Sequence, residues 1–249
     1  DLPKPGTLSQ VAIVDAQGIG GASIPVFAVT IRSVDDRFKS ITLKIDKTPP
    51  TITGATTTPP NADGWYNSDV TVHFTATDAL SGLDTVTPDT TISTEGANQS
   101  VPGTATDKAG NSATFTVTSI NIDKTPPTLT FGTASPTPNT AGWNNSDVSI
   151  TYTASDNLSG VASSTPASPL LFTTDGTSQT KTVTVTDKAG NSETFTSPKV
   201  NLDKTKPIIT ISSPQAKDYL TSENLTIMFS MTDALSGLAS TSATLDGNA

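Results

Sequence analysis

"GWYNSDVTVHFTATDALSGL", residues Gly64–Leu83, is the stretch that decides the fold. Inside it Val70, Val72, Phe74 and Ala76 alternate with Thr71, His73, Thr75 and Thr77. A period of two sends successive side chains to opposite faces, so the stretch reads as a strand with one face on a core and one in water. The pattern returns in phase in "GWNNSDVSITYTASDNLSGV" (Gly142–Val161), with Val148, Ile150, Tyr152 and Ala154 inward. It returns again in "LTSENLTIMFSMTDALSGL" (Leu220–Leu238), with Leu225, Ile227, Phe229 and Met231 inward and no tryptophan.

The repetition extends on both sides of this strand. "IDKTPPT" at Ile45–Thr51 recurs at Ile122–Thr128, and "LDKTKPI" follows at Leu202–Ile208. Their aspartates, Asp46, Asp123 and Asp203, are 77 and 80 residues apart. "TDKAGNS" occurs at Thr106–Ser112 and at Thr186–Ser192. A unit of this length suits a small self-contained β domain better than a solenoid coil. Thr-Asp-Lys-Ala-Gly-Asn lies between two alternating segments and reads as a hairpin turn, with Asp107 closing an Asx-turn and Gly110 at positive φ. "FAVTIRSVDDRFKSITLKID" (Phe27–Asp46) reads as the last hairpin of a preceding domain, with Val34-Asp35-Asp36 in the turn. No helical period of useful length occurs. The expected class is all-β, divided into 1–45 (the last part of a divergent β domain), 46–122 (repeat 1), 123–202 (repeat 2) and 203–249 (the first part of repeat 3).

Composition narrows the function classes. The 249 residues carry a net charge of −9, with only 14 Lys+Arg, which makes a poor partner for nucleic acid. No run of about 18 apolar residues exists, so no membrane span is expected. There is no cysteine, which removes disulfides, thiol catalysis and Cys-type zinc sites. Aromatics are 5% of residues, so each core is expected to be thin. No G-x-S-x-G, P-loop or H-E-x-x-H motif is present, and the single histidine, His73, falls on the polar face of its strand. The chain is expected not to be an enzyme.

DKTPP, GW.NSDV, TD.LSG and TDKAGN together resemble the bacterial immunoglobulin-like repeats of large secreted and cell-surface proteins, over Ile45–Ala249. "SATLDG" (Ser242–Gly247) resembles a related subtype. The resemblance implies tandem immunoglobulin-like β-sandwich domains and a bacterial, secreted or cell-surface location. In that topology the DKTPP segment, the loop after the second strand and the last hairpin turn meet at one pole. Asp46, Asp78 and Asp107 would then converge in repeat 1, and Asp123, Asp156 and Asp187 in repeat 2. Asp203 and Asp233 would do so in repeat 3.

Two readings of these carboxylates stand side by side. In one, each set holds calcium, which takes six to eight oxygens at about 2.3–2.6 Å, with Asn111 and Asn191 adding ligands. Cadherins, which such arrays resemble in plan, brace their joints this way. In the other, each aspartate caps its own turn without metal, and Lys47, Lys108, Lys124 and Lys188 supply neutralising charge.

Trp65 and Trp143 fall at the opposite pole. They read as plugs of a small core or, exposed, as stacking platforms for polysaccharide. The prolines of DKTPP stiffen the linker, so the array is expected to be a semi-rigid rod whose repeats contact their neighbours. The function expected is a structural or adhesive spacer: a surface stalk, an adhesin shaft or a filament subunit. One alternative is accessory modules of a secreted carbohydrate-active enzyme. Another is a filament formed head to tail, in which residues 1–45 of one chain complete residues 203–249 of the next.

Overall fold

The computed structural model describes residues 26–31, 39–215, 220, 222 and 226–242. Every regular element among them is a β-strand. The chain forms two compact units that divide between Lys124 and Thr125.

The first unit holds β1 (Val26–Ile31), β2 (Lys39–Lys44), β3 (Thr51–Thr56), β4 (Val70–Thr77), β5 (Leu83–Val86), β6 (Thr90–Ile92), β7 (Gly96–Asp107) and β8 (Ser112–Ile122). β1 and β2 pair antiparallel, from Val26 opposite Lys44 to Ile31 opposite Lys39. The turn expected at Val34–Asp36 lies outside the described residues. β3-β4-β6 and β5-β7-β8 form two antiparallel sheets. Both sheets feed one core: Ile52, Val70, Val72 and Phe74 come from the first, and Val101, Ala105, Ile120 and Ile122 from the second. Two sheets sharing a core is the arrangement a β-sandwich requires. On β4 the alternation is realised, with Val70, Val72 and Phe74 buried while His73 and Thr75 face solvent.

The second unit holds β9 (Thr128–Ser135), β10 (Val148–Ser155), β11 (Val161–Thr165), β12 (Leu170–Phe172), β13 (Gly176–Gln179), β14 (Thr182–Asp187), β15 (Ser192–Thr196), β16 (Val200–Leu202), β17 (Ile208–Ser213) and β18 (Met228–Thr232). The sheets β12-β10-β9 and β11-β14-β15 and the pair β13-β16 surround a core of Val148, Ile150, Leu170, Phe172, Val183, Val185, Val200 and Leu202. β17 and β18 pair as a separate hairpin. Here the inward face expected for the third copy is not buried. Ile227 and Phe229 are exposed, as are Ile209 and Ile211. Among the described residues β17 and β18 form a two-stranded sheet on their own, so no second sheet covers their apolar side chains. Leu225 lies outside the described residues.

The two complete cores solve one packing problem in two ways. In the first, Phe74 stands opposite Gly54, and a Cβ placed on Gly54 would come within 2.6 Å of the Phe74 ring. A Cβ on Gly103, in the facing sheet, would also collide with that ring. Two glycines therefore make room for one large ring. In the second core Tyr152 replaces Phe74, Phe131 takes the place of Gly54, and Val183 takes that of Gly103. Phe131 meets Tyr152 edge-on at 6.2 Å between ring centroids, and Val183 is fully buried. Repeat 2 thus carries more side-chain volume at the same three positions, and its Tyr152 is only half-buried, with its hydroxyl on Ser164, where Phe74 is buried between two glycines.

Gly103→Val should therefore overpack repeat 1 and destabilise it by about 1–3 kcal/mol, although valine is the resident of the corresponding site in repeat 2. Denaturant unfolding followed at Trp65 in a Trp143→Phe background measures this. Unchanged unfolding would mean that the Phe74 slot is not tightly packed.

Candidate functional site

The turns that follow β4 and β7 set the geometry of the first unit's carboxylate pole. After β4, Asp78 Oδ1 accepts the N–H groups of Leu80 (3.1 Å) and Gly82 (2.7 Å), and Gly82 adopts φ +81°. Between β7 and β8, Asp107 Oδ1 accepts from Ala109 (2.9 Å) and Asn111 (2.8 Å), and Gly110 adopts φ +90°. Only glycine takes such φ values at little cost, which explains Asp-x-x-x-Gly after β4 and Asp-x-x-Gly after β7. Asp46 joins them from the linker. Its Oδ1 accepts Thr48 N–H at 2.9 Å and its Oδ2 accepts Ser81 N–H at 3.0 Å.

Asp46, Asp78 and Asp107 thereby converge, each offering a carboxylate oxygen within 4.8 Å of the others. Oxygens on opposite sides of one calcium ion, each at about 2.3–2.6 Å from it, lie about 4.6–5.2 Å apart, so oxygens this close to one another can reach a common ion. The turn hydrogen bonds coexist with that use, because the backbone N–H groups at Asp78 and Asp107 fall on Oδ1 and leave lone-pair capacity on Oδ2. Asn111 enters the cluster as a donor. Its Nδ2 reaches Asp107 Oδ2 at 2.8 Å and the Asp46 carbonyl at 3.2 Å. For Asn111 to act as a cation ligand its amide would have to rotate by half a turn.

The same local turns recur in the second unit. Asp156 Oδ1 accepts Gly160 N–H at 2.7 Å, and Asp187 accepts from Gly190 and Asn191, with Asn191 Nδ2 on its second oxygen at 2.8 Å. Asp123, the linker aspartate of that copy, belongs to the first unit, where its N–H donates to the Tyr66 carbonyl. Asp203 and Asp233 are joined through Ser236, which donates its N–H to Asp203 Oδ2 at 3.0 Å and its hydroxyl to Asp233 at 3.3 Å.

The opposite pole uses GW.NSD differently from expectation. Asn61 Oδ1 accepts the N–H groups of Asp63 and Trp65, which fixes the turn before β4, and Asn139 does the same for Ala141 and Trp143. Trp65 and Trp143 are half-buried and belong to neither core, so they are not core plugs. The buried residue is the next one, Tyr66 or Asn144. Tyr66 donates its N–H to Asn121 and accepts from Asp123, which clamps the end of β8. Asn144 donates to Asn201 and accepts from Asp203, which clamps the end of β16.

Of the lysines in the neutralising reading, Lys124 is bound away from the carboxylate cluster. Lys124 Nζ binds Asp69 Oδ1 at 2.9 Å and the Ser93 carbonyl at 2.7 Å. Lys204 Nζ repeats this with Asp147 at 2.8 Å and the Thr173 carbonyl at 2.7 Å. Lys124 and Lys204 therefore fold back onto the NSD aspartates of the repeats before them. The repeated motifs contained this pairing, but nothing in their spacing pointed to it.

No protein-family model matches the chain, and no curated protein is significantly similar to it. Among the described residues no helix is long and apolar enough to cross a membrane.

Three carboxyls are held below their ordinary value of 3.8. The Ser81 and Thr48 hydrogen bonds lower Asp46. Burial raises Asp107, but the Asn111 and Ala109 hydrogen bonds outweigh it. The Ser236 hydrogen bonds lower Asp203 against its burial. A carboxyl depressed in the fold stabilises it above the unfolded value and loses that contribution as pH falls through the folded value. Melting temperature should thus stay flat at neutral pH and fall once pH drops below 3.8. Asp107→Asn should weaken the fall. A melting temperature independent of pH across that window would show that these carboxylates do not support the fold.

Proposed function

We propose that the chain is a non-catalytic, extracellular spacer built of tandem immunoglobulin-like β-sandwich repeats, spanning 46–122 and 123–202. Segments 1–45 and 203–249 belong to further domains of the array. The observation that carries this reading is the two-sided use of the linker dipeptide. At Asp203-Lys204, the lysine is bound to Asp147 of the repeat before it, while the aspartate accepts Ser236 N–H from the segment after it. A linker fastened on both sides, with proline close behind, resists bending. This suits a shaft that holds something at a distance.

Calcium completes the joint in this proposal. Asp46, Asp78 and Asp107 would hold it, and the ion would supply positive charge to carboxylates that repel one another. Asp46 itself pushes the Asp107 carboxyl upward through this repulsion. The charge balance, −9 overall, leaves little basic surface for nucleic acid. A bacterial cell surface or secreted assembly is the setting in which such a shaft has a use.

Ligand binding to the folded state raises stability by mass action, by about 2.7 kcal/mol at a hundredfold excess over Kd. The melting temperature should therefore rise when calcium is added to chelator-treated protein, and Asp107→Asn should remove the part of the rise that comes from repeat 1. Identical melting with calcium and with chelator would leave turn capping as the sole role of these aspartates and overturn the calcium proposal.

A further inference from the structure

The second unit contains a cleft of about 340 Å³ in which Trp143, Thr137 and Asn145 of repeat 2 face Asp203 and Ser236. Its position follows from the clamp already described. Asn139 holds the Trp143 backbone by two hydrogen bonds, at 2.9 Å to its N–H and 2.9 Å from its carbonyl. Asn144 holds Asp203 N–H at 2.9 Å. The base of the indole and the base of the carboxylate are thus fixed relative to each other, which lowers the ordering cost of binding.

The lining decides the ligand class. Among the described residues no lysine or arginine borders the cleft, so they offer no counter-charge to a phosphate or carboxylate. Asp203, the one carboxylate among the described lining residues, already accepts N–H from Thr205 and Ser236, which makes a weak cation site. Amide, hydroxyl and carboxylate groups outnumber apolar ones, so a purely apolar ligand would strand them without partners. What remains is an indole beside mixed donors and acceptors. A pyranose ring matches that combination: its C–H face packs on an aromatic ring, and its hydroxyls both donate and accept. The volume lies within the usual range of about 300–1,000 Å³ for small-molecule pockets.

We infer that this cleft binds a neutral pyranose unit of a glycan, with Trp143 as the stacking platform and Asn145, Thr137 and Asp203 as hydroxyl partners. The inference does not depend on the spacer reading or on calcium. A shaft that touches glycan at a joint is still a shaft. Asp203 also sets specificity, since an anionic carboxylate in the cleft repels a uronic acid.

The full chain, labelled with ¹⁵N, tests this when titrated to millimolar levels with methyl β-D-glucopyranoside, chitotriose and D-galacturonate. The Trp143 indole N–H and the backbone amides of Asn145 and Ser236 serve as reporters. At least one neutral saccharide should shift all three saturably, and galacturonate should bind about ten-fold more weakly or not at all. Trp143→Ala should abolish the shifts at the two amides. Asn145→Ala, an exposed change that leaves the turn intact, should weaken binding even if the tryptophan variant misfolds. Asp203→Asn should narrow the gap between neutral and acidic sugars. Unmoved reporters with both neutral saccharides would overturn the inference, as would amide shifts that survive both Trp143→Ala and Asn145→Ala.

Discussion

The structure depends on what the linker residues Asp46, Lys124, Asp203 and Lys204 touch. Lys124 and Lys204 reach back to Asp69 and Asp147, so the start of the linker is bound to the pole where its own repeat ends. Asp46 and Asp203 reach forward to the N–H groups of Ser81 and Ser236. These ion pairs are partly exposed, and each alone adds little stability. Their effect is geometric, because opposite charges on adjacent residues are held by different parts of the fold. The GW.NSD corner is the other half of the device. It supplies the aspartate that receives the lysine, and Tyr66 or Asn144 pins the strand that leads into the linker.

This dependence explains which residues the chain repeats and which it varies. The motif residues hold backbone and charge at the two poles, where one wrong side chain would free a turn or a linker. The core between the poles varies in both size and burial of its side chains while the strand pairing is kept. Gly54, Phe74 and Gly103 in one repeat correspond to Phe131, Tyr152 and Val183 in the next.

Much of this was legible in the sequence. The alternation of β4 and β10 gave their buried faces, because a period of two leaves one assignment once one face is apolar. The Asp and Gly spacings gave the turns, because an Asx-turn and a positive-φ glycine use only local chemistry. Convergence of Asp46, Asp78 and Asp107 was inferred from the topology that the resemblance implies. The lysine pairs were not legible. Lys124 and Asp69 are joined only once β8 is clamped beside the corner that precedes β4, and no local rule encodes that long-range register. The tryptophans misled for a related reason. Size suggested burial, but the turn built by Asn61 or Asn139 hands the buried position to the following residue. On β17 and β18 the alternation alone does not produce burial, because burial also needs a facing sheet, and among the described residues none is present.

The central claim is that the linker is fastened on both sides, and the joint at Asp203-Lys204 offers the most direct measurement. The chain has no cysteine, so spin labels at Thr153→Cys and Ser230→Cys, both on exposed strand positions, report a single distance across that joint. Pulsed electron-electron resonance should give one narrow distribution in the otherwise unchanged chain and a broad one after Lys204→Ala or Asp147→Ala. A distribution already broad before either change, or one that stays narrow after both, would contradict the account.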